Sequence, residues 1–399
     1  EVTSALSASD AEVLACSSAG GGLRLAVIGQ ERLVSAEAGH RVALSAGAKV
    51  VHVSSGELDG SGLRALRAER PDVLLLVGGT DGGDQRVLLH NARRLAANRI
   101  AVPIVLAGNI EAQAEALAAL SGRTVVPTAN VLPDVGELAP GPARVAIRSV
   151  FLRHVIGGKG LSRGPRFRDL VRTVTPDAVL AGVARLAAVV ARREDQPGAV
   201  LVVDVGGATT DVYSAVSTVD DMGSRTVALP ADRRTVEGDI GMRWSAPGVV
   251  AEAVAERLIT TVEAEILAVA AQRRVDNVDF IPSTPEESTV DIRLAALAAI
   301  LALRRHLRLV DGQLGPRGAG LLVLSGGVFR HATEDGLATV RETLGADPIL
   351  RPILRTAHVT VDRDYVLAPA GLLGETGNPE AADRLLETCL VTELSTENA

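Results

Sequence analysis

The residues between Leu201 and Ser214 combine carboxylate, hydroxyl and glycine groups at a spacing that suits phosphate chemistry. The segment reads Leu-Val-Val-Asp-Val-Gly-Gly-Ala-Thr-Thr-Asp-Val-Tyr-Ser. Its β-branched flanks predict two strands, and the glycine pair, which permits positive φ, predicts a tight turn that a ligand can approach closely. Successive N–H groups in such a turn form an anion nest, and carboxylates suit hydrated Mg²⁺ beside a phosphate. The pattern favours a nucleotide-binding hairpin over an ordinary glycine-rich turn, because acidic and strand residues flank it on both sides.

Each group of this hairpin has an expected role. Asp204 and Asp211 are predicted to hold Mg²⁺, directly or through water, and thereby to serve catalysis. The backbone and hydroxyl groups between them are predicted to bind the phosphates: Gly206, Gly207, Ala208, Thr209 and Thr210.

A second glycine pair follows a strand about 120 residues later. Leu321–Leu324 reads as a strand, and Ser325-Gly326-Gly327-Val328 leads from it into a helical stretch. Glycines there let the backbone pass close beneath a flat ring such as adenine. Turns of this kind are also common without a ligand. Because a phosphate hairpin precedes it, we expect Ser325, Gly326, Gly327 and Val328 to hold adenosine.

Three further carboxylates are ambiguous. Glu237 and Asp239 lie in a segment rich in charge and glycine, where they would contact the ribose or the metal's water shell, or else form a solvated turn and helix cap. Asp81, with Asp84 nearby, lies at the start of a predicted helix, where a carboxylate commonly caps the helix. Alternatively, Asp81 positions water or Mg²⁺ and is catalytic.

The elements that must position these groups form an α/β protein. Between residue 10 and about residue 130, short apolar strands alternate with helices, which predicts a parallel sheet covered by helices on both faces. The predicted strands are Val13–Ser17, Leu23–Ile28, Lys49–Ser54, Asp72–Val77, Pro103–Ala107 and Thr124–Thr128. Ligands of open α/β sheets bind at the carboxyl ends of such strands.

We predict four regions along the chain. Residues 1–143 form a first α/β lobe, 144–198 a largely helical connection interrupted by Gly157–Gly160, 199–375 a second lobe with the nucleotide motifs, and 376–399 a C-terminal helix and tail. A long helix is predicted near Val249–Gln272, a loop over Asp276–Ser288 and another helix near Ile292–Leu307.

Composition excludes several classes of protein. Lys49 and Lys159 are the only lysines and neither precedes Ser or Thr, so the chain lacks a P-loop. A net charge of −7 without a basic block disfavours nucleic acid as a partner. Cys16 and Cys389 form no metal or disulfide pattern, which fits a reducing cytoplasm. No apolar run approaches the ~20 residues of a membrane span, so no membrane partner is expected.

Several motifs together resemble a known family. VVDVGGATTDVYS is similar to the second phosphate motif of the actin, Hsp70 and sugar-kinase ATPase superfamily, and LSGGVFR to its adenosine motif. The wider set resembles the MutL (also called GlmL) family, which is associated with glutamate mutase and related adenosylcobalamin enzymes, over about residues 10 to 375. The set comprises ACSSAGGGLRLAVIG, LLLVGGTDGGDQRVLLHNA, PIVLAGN, RTVEGDIGMRWSA, SGGVFRH and DRDYVLAPAGLL.

The resemblance implies two RNase H-like lobes, with a parallel α/β segment in the first, that bind ATP and Mg²⁺. It implies a reactivating factor or chaperone for an adenosylcobalamin-dependent mutase, with hydrolysis of ATP to ADP and phosphate as its reaction. The superfamily's first phosphate hairpin has no counterpart in this sequence, so we expect an incomplete phosphate clamp and weak ATPase activity of the chain as given. Alternatives are a small-molecule kinase of the same superfamily, with Asp81 as its catalytic base, and a nucleotide-gated scaffold.

Overall fold

A computed structural model describes residues 13–17, 23–31, 34–45, 48–151, 170–194, 199–216, 232–310, 314 and 318–391. The chain divides into two compact units. The first comprises Glu1–Ala181, Met222–Pro230 and Gly371–Pro379, and the second comprises Gly182–Asp221, Ala231–Ala370 and Glu380–Ala399. The interruption predicted at Gly157–Gly160 lies outside the described residues. So do residues 195–198 of the predicted connection and the tail after Val391.

The first unit contains a five-stranded parallel sheet with the order β3-β2-β4-β5-β6. The strands are β2 (Arg24–Gly29), β3 (Lys49–Ser55), β4 (Val73–Leu76), β5 (Ile104–Leu106) and β6 (Val125–Pro127). The helices between them are α1 (Ser35–Ser45), α2 (Gly60–Ala68), α3 (Arg86–Ala97) and α4 (Gln113–Ala119), the last preceded by a 3₁₀ turn at Ile110–Ala112, and α5 (Pro140–Val150) follows β6. This is the doubly wound arrangement expected from alternating strands and helices.

The inner strands β2, β4 and β5 are buried on both faces, whereas the edge strands β3 and β6 are partly exposed, and the side chains of the sheet alternate between two cores. Leu25, Val27, Leu75 and Val105 belong to one core, which α1 and α5 help to enclose. Ile28, Leu74, Leu76 and Leu106 belong to the other core, together with apolar residues of α2, α3 and α4. Continuous apolar strands are the signature of such a two-sided sheet, which explains why the sequence pattern identified every strand of it.

Two short parallel strands flank this sheet in sequence. β1 (Ala15–Ser17) pairs with β7 (Val171–Val174), so the whole five-stranded sheet is inserted between them. The prediction of a largely helical segment from residue 144 to 193 is wrong at β7, which precedes the long helix α6 (Thr175–Glu194) directly. The sequence Val-Arg-Thr-Val is too short for its period to distinguish a strand from a helical turn.

The second unit is built on a mixed sheet with the order β10-β9-β8-β11-β12. β8 (Ala199–Val205), β9 (Thr210–Val216) and β10 (Asp232–Glu237) are antiparallel neighbours. β11 (Leu321–Ser325) and β12 (His358–Val361) run parallel to β8. In this order, β8, β9 and β10 form an antiparallel meander, and β11 and β12 continue the sheet in parallel on the other side of β8. This is the RNase H-like order, and it confirms the predicted fold class for this unit.

Helices complete the second unit. They are α7 (Ala246–Ala255), α8 (Thr261–Asp276), α9 (Pro285–Leu309), α10 (Gly327–Arg330), α11 (Glu334–Ala346), α12 (Arg351–Leu354), the first residues of α13 (Leu367–Glu375), whose remainder from Gly371 belongs to the first unit, and α14 (Pro379–Leu386), which a π turn at Glu387–Val391 extends. The predicted single helix near Val249–Gln272 is instead α7 and α8, because Arg257 takes φ 57° between them. The predicted loop over Asp276–Ser288 is correct only up to Thr284, whose hydroxyl caps α9. No helix in the described ranges has the length and apolarity to cross a bilayer.

The central helix α9 is fastened to the sheet by a buried histidine. His306 is fully buried, and its ring nitrogens lie 2.8 Å from the Ser214 hydroxyl on β9 and 3.0 Å from the Thr235 hydroxyl on β10. Burial and the positive charge of Arg233 lower the pKa of His306 to about 3. The imidazole is therefore neutral in the folded protein at physiological pH and bridges two strands to the helix.

This burial predicts an acid-sensitive contribution to stability. The unfolded state takes up a proton near the ordinary pKa of 6.5, whereas the folded state resists protonation until about pH 3. Below pH 6.5 the wild type should therefore lose roughly 1.4 kcal/mol of unfolding free energy per pH unit relative to His306→Gln. Urea unfolding of both proteins at several pH values between 7 and 4 measures this difference, and parallel curves would contradict it.

Candidate functional site

The acidic hairpin predicted from the sequence is formed by β8, β9 and the turn between them. Asp204 and Asp211 are register partners, so the two carboxylates lie on the same face of the hairpin with Cβ atoms about 5 Å apart. The turn closes with a hydrogen bond of 2.9 Å from the Gly206 N–H to the Thr209 carbonyl. Neither Gly206 nor Gly207 adopts positive φ, so the expected use of their conformational freedom is wrong.

The amide side of this turn faces outward. Gly207 and Ala208 are exposed, and no group in the described part of the chain accepts a hydrogen bond from the N–H of Gly207, Ala208 or Thr209. A Cβ added to Gly207 would come no closer than 3.7 Å to any neighbour, the Arg243 side chain. Three consecutive free N–H groups in an exposed turn are the geometry of an anion nest.

The carbonyl side of the turn is held by the loop that precedes α7. Met242 N–H donates to the Gly206 carbonyl at 2.9 Å, and the N–H groups of Arg243 and Trp244 donate to the Gly207 carbonyl at 2.7 and 3.0 Å. The Ser245 hydroxyl donates to the Ala208 carbonyl at 2.8 Å. With its carbonyls occupied in this way, the turn is fixed with its N–H groups pointing away from the protein.

Asp204 lies in an unusual electrostatic environment at the carboxyl end of β8. Burial and the negative charges of Asp211 and Asp362 raise its pKa to about 7, against the opposing effects of Arg234 and a hydrogen bond with Ser325. A carboxyl group with a pKa near neutrality is poised either to accept a proton or to bind a cation, and such shifts cluster at functional sites.

Asp211 is held by an arginine on the neighbouring strand. The Arg234 guanidinium contacts the Asp211 carboxylate at 2.8 Å through Nε and 2.5 Å through a terminal nitrogen, and it also lies 5.7 Å from the centre of the buried Tyr213 ring. Sequence analysis missed this arginine. Arg234 lies opposite Tyr213 only because β9 pairs with β10. The charged residues of β10 gave no strand pattern in the sequence, so this pairing could not be predicted.

The donor set fits a Mg²⁺ ion that arrives with a nucleotide. No cluster of three or more potential ligands from His, Cys, Asp and Glu occurs within the described residues, so the protein offers no complete metal cage there. Mg²⁺ commonly binds through one or two carboxylates, water and substrate phosphates, and Asp204 with Asp211 supplies those carboxylates. The Thr210 hydroxyl is buried without a hydrogen-bond partner in the described part of the chain, but Thr210 precedes Asp211 in β9, so its side chain lies on the other face of the sheet.

The second glycine pair lies beside the hairpin. Ser325 is the register partner of Asp204, and Gly326 takes φ 110°, where a Cβ would overlap the Val205 carbonyl. Glycine is therefore required at Gly326 by the close approach of the two strands. The exposed Gly327 opens α10, and Val328 follows it half-buried. The structure thus brings the predicted adenosine residues next to the predicted phosphate residues.

Two residues that sequence analysis did not assign lie at the same edge. Asp362 follows β12 and is 2% exposed; its carboxylate accepts hydrogen bonds from the N–H groups of Val366 and Leu367 at 2.8 and 3.5 Å. Tyr365 has φ 53° and lies 4.8 Å beneath the Arg330 guanidinium. The motif Asp-Arg-Asp-Tyr was visible in the sequence, but nothing in its composition indicated a role.

Glu237 and Asp239 are placed near the hairpin but are bound by an arginine. Glu237 is the register partner of Thr210, and Arg305 on α9 contacts Glu237 at 2.7 Å, Asp239 at 3.2 Å and Glu252 at 2.6 Å. Burial raises the pKa of Glu237 despite this pairing. The arrangement ties the end of β10 to α9 and α7.

Asp81 belongs to the first unit, and its carboxylate is used within that unit. The carboxylate accepts hydrogen bonds of 2.9 Å from the Ile110 N–H and from the Asn130 amide. Asp84 accepts the Arg86 N–H, at the start of α3, at 2.9 Å and a second bond from Gln30. The Asp81 carboxylate does not cap α3, and its role as a catalytic group remains a prediction.

The comparisons with known proteins agree with these motifs. The family model described as MutL protein matches residues 1–390. Protein MutL of Clostridium tetanomorphum is 33% identical over 402 residues, which cover 95% of this chain and 86% of that protein. The chain therefore belongs to the MutL family.

Among solved structures, similarity is reported for a PilM-PilN type IV pilus biogenesis complex, with 19% identity and a TM-score of 0.21, covering 69% of this chain and 56% of that one. A ROK hexokinase from Thermus thermophilus has 13% identity and a TM-score of 0.23 over 73% of this chain and 83% of that one. An apo psk41 ParM protein has 11% identity and a TM-score of 0.22 over 73% and 70%.

The raised pKa of Asp204 predicts a pH effect opposite to that of His306. Between about pH 4 and pH 7 the folded state retains a proton that the unfolded state has lost, so the stabilisation from this proton disappears as the pH rises through 7. Relative to Asp204→Asn, the wild type should lose roughly 1.4 kcal/mol of unfolding free energy per pH unit over this window. Chemical denaturation of both proteins in EDTA tests this, and a difference that is constant with pH would refute the prediction.

Proposed function

We propose that this protein binds ATP with Mg²⁺ at the carboxyl edge of the second unit's sheet. The observation that carries the proposal is the run of three free N–H groups from Gly207 to Thr209, exposed between two register-paired carboxylates. An anion nest beside cation ligands suits a phosphate chain with its metal. The Ser325–Val328 loop, next to Asp204 in the sheet, is placed to take the adenosine end.

The residues of this site would work by position and charge. The N–H groups of the turn would bind the β- and γ-phosphates, and Asp204 and Asp211 would bind Mg²⁺, which neutralises charge on the phosphates. Arg234 holds Asp211 in place, and the loop before α7 holds the turn. Hydrolysis to ADP and phosphate needs an oriented water and no covalent nucleophile. The pKa of Asp204, about 7 without metal, describes a carboxyl that favours a nearby cation, and with Mg²⁺ bound it would act as a metal ligand.

In the cell we propose that the protein is an ATP-dependent reactivating factor, or chaperone, for an adenosylcobalamin-dependent mutase of the glutamate mutase type. Membership of the MutL family and the association of that family with such mutases support this role. Nucleotide binding and hydrolysis would change the protein's conformation and loosen an inactivated mutase enough to exchange damaged cobalamin. The test is recovery of an oxygen-inactivated mutase with free adenosylcobalamin, which should require this protein and hydrolysable ATP.

A small-molecule kinase is the second candidate, and product analysis distinguishes it. A kinase would convert ATP into ADP and a phosphorylated metabolite, whereas a reactivating factor releases free phosphate. A nucleotide-gated scaffold would instead sediment as a polymer with ATP. The two hydrogen bonds that occupy the Asp81 carboxylate favour a structural role over that of a kinase base.

Removing the open space at Gly207 should weaken nucleotide binding without harming the fold. Gly207→Ala adds a methyl group that the protein itself tolerates at 3.7 Å but that crowds the phosphate position. Trp244 is the chain's single tryptophan, is 66% exposed and bonds to the Gly207 carbonyl, so its fluorescence reports on the turn. We expect at least a roughly tenfold loss of Mg-ATP affinity.

Gly345→Ala is the matched control for this titration. A Cβ at Gly345 meets nothing within 4 Å, so this position tolerates alanine as Gly207 does, but it lies near the end of α11 and outside the hairpin. The control should bind Mg-ATP like the wild type. Equal affinity of the Gly207→Ala and wild-type proteins would exclude the turn as the phosphate site.

The carboxylate of Asp204 should matter for hydrolysis. Asp204→Asn keeps the shape but removes the charge that would bind Mg²⁺, so the rate of phosphate release should fall at least roughly tenfold, or about 1.4 kcal/mol in the activation barrier. Asp276→Asn, at the exposed end of α8, should hydrolyse like the wild type. Phosphate release by Asp204→Asn at the wild-type rate would refute the assignment.

A further inference from the structure

A recess in the first unit lies at the edge of the sheet opposite to the one that carries Asp81. It is formed where α2 and α3 end and where β4 and β5 begin, and it encloses about 160 Å³. Its floor includes the buried Leu66 and Ile100, and its rim carries three arginines: Arg67, Arg70 and Arg99.

Two of these arginines occupy a backbone conformation that usually belongs to glycine. Arg70 has φ 45° and Arg99 has φ 51°, each directly after the C-cap residue of its helix. The Arg70 N–H donates to the Arg67 carbonyl at 3.2 Å and the Arg99 N–H to the Ala96 carbonyl at 3.1 Å. Glycine is the common residue at this position of a helix C-terminus. The same conformation occurs at Arg257, outside the recess, so it is not itself evidence of a ligand, and any reason for arginine at these two positions lies in what the guanidinium groups contact.

Binding the free carbonyls at the helix ends does not explain the side chains of Arg70 and Arg99, because other arginines donate hydrogen bonds to those carbonyls. Arg24 donates to the Glu69 carbonyl at 2.5 Å and to the Arg70 carbonyl at 3.4 Å. Arg67 donates to the Asn98 carbonyl at 2.7 Å, and Arg123 donates to the Ala96 carbonyl at 2.9 Å.

The guanidinium groups of Arg70 and Arg99 are left without a bond or an ion pair to any residue that the structure describes.

The charge of this region is opposite to that of the chain. The chain carries a net charge of −7, yet three arginines line the recess, and Arg24 and Arg123 bind carbonyls of the helix ends that border it. Of the acidic residues nearby, Glu69 is paired with Arg24 at 3.6 Å and Asp72 accepts the Arg24 N–H at 3.0 Å. The positive charge of Arg70 and Arg99 is therefore not balanced by a neighbouring carboxylate.

We propose that this recess binds a small oxyanion-bearing molecule, with Arg70 and Arg99 as its principal contacts. Guanidinium groups present a planar set of donors that matches carboxylate and phosphate oxygens. The volume corresponds to roughly five water molecules, which suits a compact dianion with a short apolar body against Leu66 and Ile100. Phosphate and carboxylate ligands share this chemistry, and the experiment separates them.

The test is isothermal titration of the full chain with inorganic pyrophosphate and, separately, with succinate, in EDTA at constant ionic strength so that screening does not change. We expect one of the two to bind at a site that depends on Arg70 and Arg99, whereas any pyrophosphate bound at the Gly207–Thr209 turn is the part that the double variant below keeps. Tighter binding of pyrophosphate identifies a phosphate-type ligand, and tighter binding of succinate a carboxylate-type ligand. The Arg70→Gly/Arg99→Gly double variant should bind at least about tenfold more weakly while melting no lower than the wild type, because glycine suits positive φ.

Arg257→Gly is the matched control. Arg257 also follows a helix, α7, with φ 57°, but it lies in the second unit, outside the recess. The Arg257→Gly variant should bind pyrophosphate and succinate with the affinities of the wild type. The proposal fails if neither probe binds the wild type, if the double variant binds as the wild type does, or if Arg257→Gly loses as much affinity.

Discussion

The proposed nucleotide chemistry depends on a carboxylate whose negative charge is destabilised by its surroundings. Asp204 is the penultimate residue of β8, with Asp211 opposite it on β9 and Asp362 directly after β12, two strands away in the sheet. The charges of Asp211 and Asp362 disfavour the Asp204 anion, and one arginine only partly offsets them. The Asp204–Asp211 pair therefore favours a proton or a cation, and in the proposed function Mg²⁺ bound to a phosphate chain supplies the cation. The exposed N–H groups of the turn would bind the phosphates.

The surrounding structure fixes this edge from several sides. Hydrogen bonds from the loop before α7 hold the carbonyls of the turn. Arg243 in that loop donates to the Phe280 carbonyl at 3.2 Å and to Asp291 at 3.1 Å, and the buried Arg274 meets the same carboxylate at 2.5 Å. The turn is thus connected to α9 and α8 by a continuous set of polar contacts. Removing either partner of the buried pair would leave an uncompensated charge, which costs several kcal/mol.

Much of this architecture could be predicted from the sequence, and the reasons are physical. Strands buried on both faces show as apolar runs, so the parallel sheet of the first unit was identified strand by strand. The hairpin was found because Asp204, the glycine pair and Asp211 form a compact local pattern. What could not be predicted depends on pairing across the sheet. Strand β10 is rich in charge, so the sequence did not mark it as a strand. The bond from Arg234 to Asp211 follows only from the pairing that places Arg234 opposite Tyr213. The break between α7 and α8 was hidden because Arg257 occupies a position where glycine would have marked it.

The most direct test of the central claim is a crystal structure of the full chain with Mg²⁺ and a non-hydrolysable ATP analogue. The account predicts phosphate oxygens about 3 Å from the N–H groups of Gly207, Ala208 and Thr209, with Mg²⁺ or its bound water facing Asp204. It also predicts the adenosine end beside the Ser325–Val328 loop. A nucleotide bound elsewhere, with these three N–H groups still free, would contradict the account.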